Sequence, residues 1–270
     1  IGILVMKKEK IEELLVAAVK ASLKAGEDIL EVYNSDFSVE HKDDKSPLTM
    51  ADKKAHNTIV AELIDTKLPV LSEEGKSIPF EERKDWSHFW MVDPLDGTKE
   101  FVKRNGEFTV NIALIENGYP IAGVIYVPVH KQLYAAALEV GSYYVQNPTS
   151  VESFQNIIAS GEKLPINIDR TFSIVGSRSH MSPETETFIA EQEAKQGKVE
   201  IVSMGSSLKL CLIAHGKADL YPRFAPTMEW DTAAGQAIAE AAGKSVINWE
   251  TKERMQYNKE NLLNSWFLVS

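Results

Sequence analysis

Trp90-Met91-Val92-Asp93-Pro94-Leu95-Asp96-Gly97-Thr98 ends an apolar run in two aspartates set three residues apart. Phe89 to Val92 predicts a buried strand, and the acidic residues fall at its end. Pro94 fixes one backbone angle between them, while Gly97 permits a sharp turn just after. Two carboxylates held rigidly in this way offer oxygen ligands to a hard cation such as Mg²⁺. Thr98 adds a hydroxyl within reach. The same residues also fit a plain hairpin, because Asp-Gly between apolar segments is a strong turn signal. The stretch taken alone leaves both readings open.

Two other acidic clusters bear on the choice. Leu68-Pro69-Val70-Leu71-Ser72-Glu73-Glu74-Gly75 is another short apolar segment ending in carboxylates. Met228-Glu229-Trp230-Asp231-Thr232-Ala233-Ala234-Gly235 opens an alanine-rich helical stretch that Asp231 is suited to cap. Singly, Glu73 and Glu74 read as solvated loop charges and Asp231 as a cap. Together they are harder to dismiss, since each element could have ended on Ser or Asn at less electrostatic cost.

Outward from these clusters the pattern divides. Ile11, Leu14, Leu15, Ala18, Val19, Ile29 and Leu30 form a helical stripe over residues 7–33. Thr49 is positioned to cap a second helix reaching about Leu68, with Ala51, Ala55, Ile59, Leu63 and Ile64 inward. Strands are expected over 69–72, 88–93, 107–116, 119–127, 131–138 and 142–146, with Asn117-Gly118 a hairpin turn. A large antiparallel sheet faced by two helices results. The pattern loosens through 141–163, so a boundary is expected near 146, giving halves 6–146 and 147–270. In the second half strand and helix alternate: 174–176, a helix from Ser182-Pro183, then 199–203, 208–215, 218–221, 232–242, 245–247 and 266–269.

The 270 residues, 44% hydrophobic, suffice for a substantial core. No apolar run approaches the ~18 residues of a membrane span. Ile1-Gly2-Ile3-Leu4-Val5 is too short for a signal peptide, and Met6-Lys7-Lys8 reads as the natural start. The lone cysteine, Cys211, excludes an internal disulfide and suits a reducing cytoplasm. A formal charge of −10 argues against nucleic-acid polymers, which need a basic face. It does not argue against a small phosphorylated substrate, because bound metal reverses the local sign. Six scattered histidines make zinc a poor candidate.

The three acidic motifs, in this order and spacing, resemble those of the inositol monophosphatase superfamily of Mg²⁺-dependent, lithium-sensitive phosphatases. The likeness runs from about Lys7 to the C-terminus. Within it the nearest resemblance is to CysQ-type 3′(2′),5′-bisphosphate nucleotidases. It is carried by Asp96-Gly97-Thr98-Lys99-Glu100-Phe101, Gly176-Ser177-Arg178-Ser179-His180, Gly205-Ser206-Ser207-Leu208-Lys209 and Tyr221-Pro222-Arg223-Phe224-Ala225-Pro226-Thr227. The resemblance implies an α/β (α+β) fold, the layered α/β/α/β/α sandwich of the inositol monophosphatase and fructose-1,6-bisphosphatase type, with the site between the halves. It implies two or three Mg²⁺ ions. Glu73, Asp93 and the Leu95 carbonyl would hold one, and Asp93 would bridge to a second held by Asp96 and Asp231. Glu73 and Thr98 would orient the attacking water, with Asp52 at a weaker third metal position, and the Gly97 and Thr98 amides would grip the phosphate. Asp52 has a competing account as a favourable charge in a helix's first turn. Glu74 is not separable from Glu73 by sequence alone, and Glu229 reads equally as a solvated neighbour.

Specificity is expected from the second half. Ser177 and Ser179 follow an apolar strand, and Lys209 and Arg223 supply cationic donors. Either cation, taken alone, also reads as an ordinary surface charge. Inositol-specific relatives tend to carry an acidic residue where this chain has Arg223, and a basic group fits an anionic nucleotide better. The implied substrate is 3′-phosphoadenosine 5′-phosphate, released as AMP and phosphate, with a place in sulfur assimilation. The resemblance leaves room for a homodimer and for peripheral membrane association. An inositol or other sugar phosphatase on the same scaffold is the nearest alternative. A non-catalytic nucleotide-binding regulator is the alternative of another class.

Overall fold

A computed structural model of the chain describes residues 6–35, 46–149, 151–176 and 181–270. Its first helix, α1 (Lys8–Tyr33), buries Ile11, Leu14, Leu15, Ala18, Val19 and Ile29, the stripe read from sequence. Along it packs α2 (Pro47–Leu63), with Ala51, Ala55, Ile59 and Leu63 inward. The expectation of a Thr49 cap is corrected. Ser46 Oγ accepts from the Thr49 N–H at 3.2 Å, and Pro47 takes the first helical position. A proline there loses no hydrogen bond and brings φ already set for a helix, so Ser46-Pro47 wins the start. The helix also closes at Leu63, before Leu68, in a 3-10 turn over Ile64–Thr66.

Next come β1 (Val70–Ser72), α3 (Phe80–Arg83), β2 (His88–Asp96), α4 (Thr98–Lys103), β3 (Thr109–Glu116) and β4 (Tyr119–Val127). They are followed by β5 (Gln132–Ala137), β6 (Gly141–Gln146), α5 (Phe154–Ser160) and β7 (Glu162–Leu164). Strands β1 to β7 form one seven-stranded sheet in chain order. Neighbours are antiparallel except β1 and β2, which run parallel. The loosened stretch after Gln146 thus returns, through α5 and β7, to the edge of this sheet. Asn117 and Gly118 both take positive φ, 50° and 82°, the two-residue turn expected between β3 and β4.

Both faces of the sheet are covered, which explains its near-continuous apolar strands. Trp90, Val92, Ile112, Leu114 and Val124 point toward α1 and α2, while Phe89, Met91, Ala113, Ile115 and Ile125 point away. The remaining elements are β8 (Ser173–Val175), α6 (Pro183–Gln196), β9 (Glu200–Val202), α7 (Leu208–His215), β10 (Tyr221–Arg223), α8 (Glu229–Ala241), β11 (Val246–Asn248) and β12 (Phe267–Val269). Helix α8 lies across β2 to β5 with α7 beside it. Beyond them stand the small sheet β10-β12-β11 and the parallel pair β8-β9. Outermost, Phe188 and Ile189 of α6 pack on Ile174 and Phe224. Helices, large sheet, helices, small strands and helix make up the α/β/α/β/α layering. Among the described residues no helix is long and apolar enough to cross a membrane.

The large sheet and α8 approach most tightly at Gly123 of β4. A Cβ there would lie 2.5 Å from the Ala234 carbonyl oxygen and 2.9 Å from Ala237 Cβ. Neither is the end of a flexible side chain, so the helix would have to move. Gly123→Ala is therefore expected to destabilise the protein by roughly 1–3 kcal/mol, the usual scale of overpacking. Thermal denaturation checks this, and a variant melting with the wild type would show that α8 shifts freely.

Candidate metal and phosphate site

The two aspartates of β2 share a face because the strand is irregular between them. Asp93 pairs with Asn111 of β3 and Asp96 with Thr109, so three steps on one strand match two on the other. In a regular strand, residues three apart point to opposite faces. The bulge at Pro94, which has no N–H to give the ladder, absorbs the extra residue and brings both carboxylates to one side. Asp93 Oδ1 accepts from the Leu95 N–H at 3.1 Å across the bulge, and the Leu95 side chain is buried in the core. Gly97, in left-handed backbone with φ 97°, then turns the chain into α4, which Thr98 begins.

Parallel pairing places Glu73 beside them. The Glu73 N–H donates to the Val92 carbonyl at 3.1 Å, extending the β1–β2 ladder one residue past β1. Asp231 arrives on α8, but not as its cap. Met228 takes the capping position, and Asp231, at the third helical position, accepts from the Met228 N–H through Oδ2 at 2.7 Å. Carboxylate oxygens of Glu73, Asp93 and Asp231 lie within 4.8 Å of one another. Glu74 lies near Asp52 and His56, while it is Glu73 whose oxygen converges with those of Asp93 and Asp231. Glu229 is buried, not solvated: it accepts from the Asn258 and Lys259 N–H groups and pairs with the Lys259 ammonium.

Asp52 also departs from its simple account. With α2 starting at Pro47, Asp52 lies beyond the first turn, where the helix dipole gives little. It is buried, and its Oδ1 has no hydrogen-bond partner. Burial, then the charges of Glu74 and Glu73, push its carboxyl up to about 8. Asp93, fully enclosed, is held well above the usual carboxylate range by burial and by Asp96, Glu73, Asp231 and Asp52. Asp96 is pushed up to about 7 by burial and Asp231, against the pull of Lys209 and the Ser207 N–H. Asp231 rises to about 6, burial leading. Glu73 is raised by burial and by Asp96 and Glu74. Carboxyls that converge, repel and include an unpartnered oxygen fit a hard divalent cation, which would satisfy the oxygens and remove the repulsion together.

One support of this cluster escaped the sequence reading. Asp96 Oδ2 accepts from the Ser207 N–H at 2.6 Å and from Asn111 Nδ2 at 3.5 Å. Thr109 Oγ1 and Ser207 Oγ both donate to Asn111 Oδ1, at 2.9 and 2.8 Å, which turns the Asn111 amide toward Asp96. The signal was present, since Thr109 and Asn111 are polar at alternate positions on an otherwise apolar strand.

Near the carboxylates opens a cavity of about 340 Å³ lined by Lys99, Lys103, Lys209 and Arg223, with Glu100, Glu107 and Phe224 in its wall. Lys209 donates to the Ser206 carbonyl at 3.1 Å. Arg223 gives Nη2 to the Pro226 carbonyl at 3.1 Å, while its buried Nε has no partner. Lys209 and Arg223 therefore meet as expected, and Lys99 and Lys103 of α4 join them unforeseen. Ser177 and Ser179 lie outside the described residues.

The profile of the inositol monophosphatase family matches residues 10–267. The 3′(2′),5′-bisphosphate nucleotidase CysQ of Salmonella typhimurium is 43% identical over 250 residues, covering 91% of this chain and 95% of that protein. The crystal structure of CysQ from Bacteroides thetaiotaomicron, a bacterial member of the same family, superposes with a TM-score of 0.92 at 54% identity, covering 96% of this chain and 97% of that one. An inositol monophosphatase from Zymomonas mobilis shares the fold, with a TM-score of 0.73 at 21% identity over 98% of this chain and 94% of that one. With its bulged aspartate pair, its converging carboxylates and a match along nearly its whole length, this chain belongs to the inositol monophosphatase family.

Proposed function

We propose that this chain is a Mg²⁺-dependent 3′(2′),5′-bisphosphate nucleotidase that removes the 3′-phosphate of 3′-phosphoadenosine 5′-phosphate, giving AMP and phosphate. The observation that carries the reading is a carboxylate cluster whose Asp96 and Asp231 feel the charges of Lys209 and Arg223, cations that line a neighbouring cavity, the one suited to metal and the other to a second phosphate. The CysQ relatives named above support it. Glu73, Asp93, the Leu95 carbonyl, Asp96 and Asp231 are the groups that would hold two ions, with Asp52 available to a third. Bound there, Mg²⁺ supplies an acidified water and charge neutralisation on the phosphoryl group. Glu73 and Thr98 orient that water, Glu73 by accepting and the Thr98 hydroxyl by accepting or donating. The Gly97 and Thr98 N–H groups bind the phosphate oxygens. Lys209 and Arg223 hold the 5′-phosphate and base, joined by Ser177 and Ser179. A cytoplasmic setting accords with a cysteine that is buried and unpaired, Cys211.

The charge of the cavity disfavours a neutral polyol, which places an inositol phosphatase second. Phosphate release with Mg²⁺ separates the two, and the bisphosphate nucleotide is expected to be hydrolysed far faster than inositol 1-phosphate. Asp93→Asn is expected to abolish release with the fold intact. Arg223→Ala is expected to raise KM for the nucleotide by about tenfold or more, the scale of one lost charge-assisted contact. Equal rates on both esters, or an unchanged KM, would overturn the assignment of specificity. Millimolar-range Li⁺ is expected to inhibit, and undiminished turnover would exclude Li⁺ from the Asp96–Asp231 position.

The raised carboxyls set a pH dependence. A free carboxylate titrates near pH 4, whereas Asp231, Asp96 and Asp52 hold protons to about 6, 7 and 8 in the folded chain. In that window the native state binds more protons than the unfolded chain, so stability without metal falls as pH rises. Metal displaces those protons and reverses the trend. Melting in chelator is expected to show Tm decreasing from pH 6 to 8, with Mg²⁺ raising Tm more at pH 8 than at pH 6. Asp93→Asn should flatten the chelator curve, and a pH-independent difference between the two proteins would refute the cluster's part in it.

A further inference from the structure

The segment 203–209 connects the cavity to the carboxylates, and what holds it in place is a residue from the opposite half of the molecule. Glu107 lies in the loop between α4 and β3, and its Oε2 accepts from the Gly205 N–H at 2.7 Å. Its own carbonyl accepts from Ser206 Oγ at 2.9 Å. The next residue, Ser207, gives its N–H to Asp96 Oδ2 at 2.6 Å, and Lys209 is tied to the Ser206 carbonyl at 3.1 Å. Glu107 is itself fixed, its N–H donating to Asn105 Oδ1 at 2.9 Å. The contact is tight as well as polar: a Cβ on Gly205 would lie 2.6 Å from Glu100 Cγ and 3.0 Å from Glu107 Cβ. Ser206 sits in left-handed backbone at φ 44°, a conformation a serine holds only when its surroundings impose it.

Glu107 is, with Glu100, one of two carboxylates in the wall of a cavity that also gathers three lysines and an arginine. A carboxylate there repels an anionic ligand, so its presence calls for a compensating role. Two straps from one residue, side chain to Gly205 and backbone to Ser206, set the register that delivers the Ser207 N–H to Asp96.

We propose that Glu107 is a positioning residue: it latches residues 205–207 so that Asp96 is oriented for metal and Lys209 for the anionic part of the substrate. The inference rests on the reading of Asp96 as a metal ligand. Binding at the cavity and binding at the carboxylates are then mechanically linked, since both use one short segment that Glu107 grips at two successive residues.

Three variants test this: Glu107→Ala, Glu107→Gln and Ser206→Ala. Glu107→Gln keeps an acceptor oxygen for the Gly205 N–H and removes the charge. The first readout is Mg²⁺ binding by calorimetry on the protein without substrate. Glu107→Ala is expected to weaken it about tenfold, the scale seen when a metal ligand loses its supporting partner. Glu107→Gln is expected to restore affinity to within about twofold of wild type, as retention of the hydrogen bond requires. Ser206→Ala, which cuts the other strap, is expected to weaken Mg²⁺ in the same direction and by less. The second readout is kinetic: Glu107→Ala should raise both the Mg²⁺ half-saturation and KM for the bisphosphate nucleotide, leaving kcat at saturating Mg²⁺ near wild type. Wild-type Mg²⁺ affinity in Glu107→Ala, or equal damage from Gln and Ala, overturns the latch. Should Glu107→Ala fail to fold, wild-type affinity in Ser206→Ala overturns it instead. Failure of the functional reading looks different, because wild-type protein would then bind Mg²⁺ without hydrolysing the nucleotide while the calorimetric comparison still decides the latch.

Discussion

Mutual repulsion among converging carboxylates is the constraint around which this molecule is arranged. Asp93 is surrounded by Asp52, Glu73, Asp96 and Asp231, and burial and like charge drive every one of them toward protonation. No such cluster assembles spontaneously from flexible loops, which would relax away from one another. Each member is fixed by an element that burial elsewhere holds in place: α2 for Asp52, the β1–β2 ladder for Glu73 and Asp93, and α8 for Asp231. The large sheet, covered on both faces, supplies the rigidity against which the repulsion acts.

The same architecture explains why the site joins two halves. The first half brings most of the acidic groups, and the second brings Asp231, Lys209 and Arg223. Their junction is apolar where the sheet meets α7 and α8 and polar around the carboxylates. Asn111, Thr109 and Ser207 interlock beneath Asp96, and Glu229 pins the start of α8 to Asn258 and Lys259 two residues before Asp231. A buried carboxylate with its acceptor capacity filled in this way stabilises orientation more than it stabilises the fold.

Much of this was legible in the sequence. Strand limits followed from apolar runs and from Asn117-Gly118, and helix α7 matched its expected span of 208–215. The acidic motifs located the cluster, because carboxylates at the ends of apolar elements are conspicuous. What escaped was whatever depended on partners distant in the chain. Thr49 displaced Ser46 as the expected cap because a hydroxyl at either position looks alike until Pro47 is weighed. Asp231 looked like a cap because its reach back to Met228 is invisible in one dimension. Glu229 looked solvated because Asn258 and Lys259 lie about thirty positions away. Lys99 and Lys103 drew no reading of their own, because the far wall of their cavity comes from the second half.

The bulge at Pro94 has a meaning for how such a sequence can change. Substitutions sample chemistry at a fixed geometry, but the facing of Asp93 and Asp96 is set by a count of residues, three against two across the β2–β3 ladder. One further residue between them, with the bulge kept, would turn one carboxylate to the opposite layer, whereas one residue fewer would remove the bulge and restore a regular pair on one face. Length and bulge are therefore matched to each other, and a change in one without the other would misdirect a carboxylate.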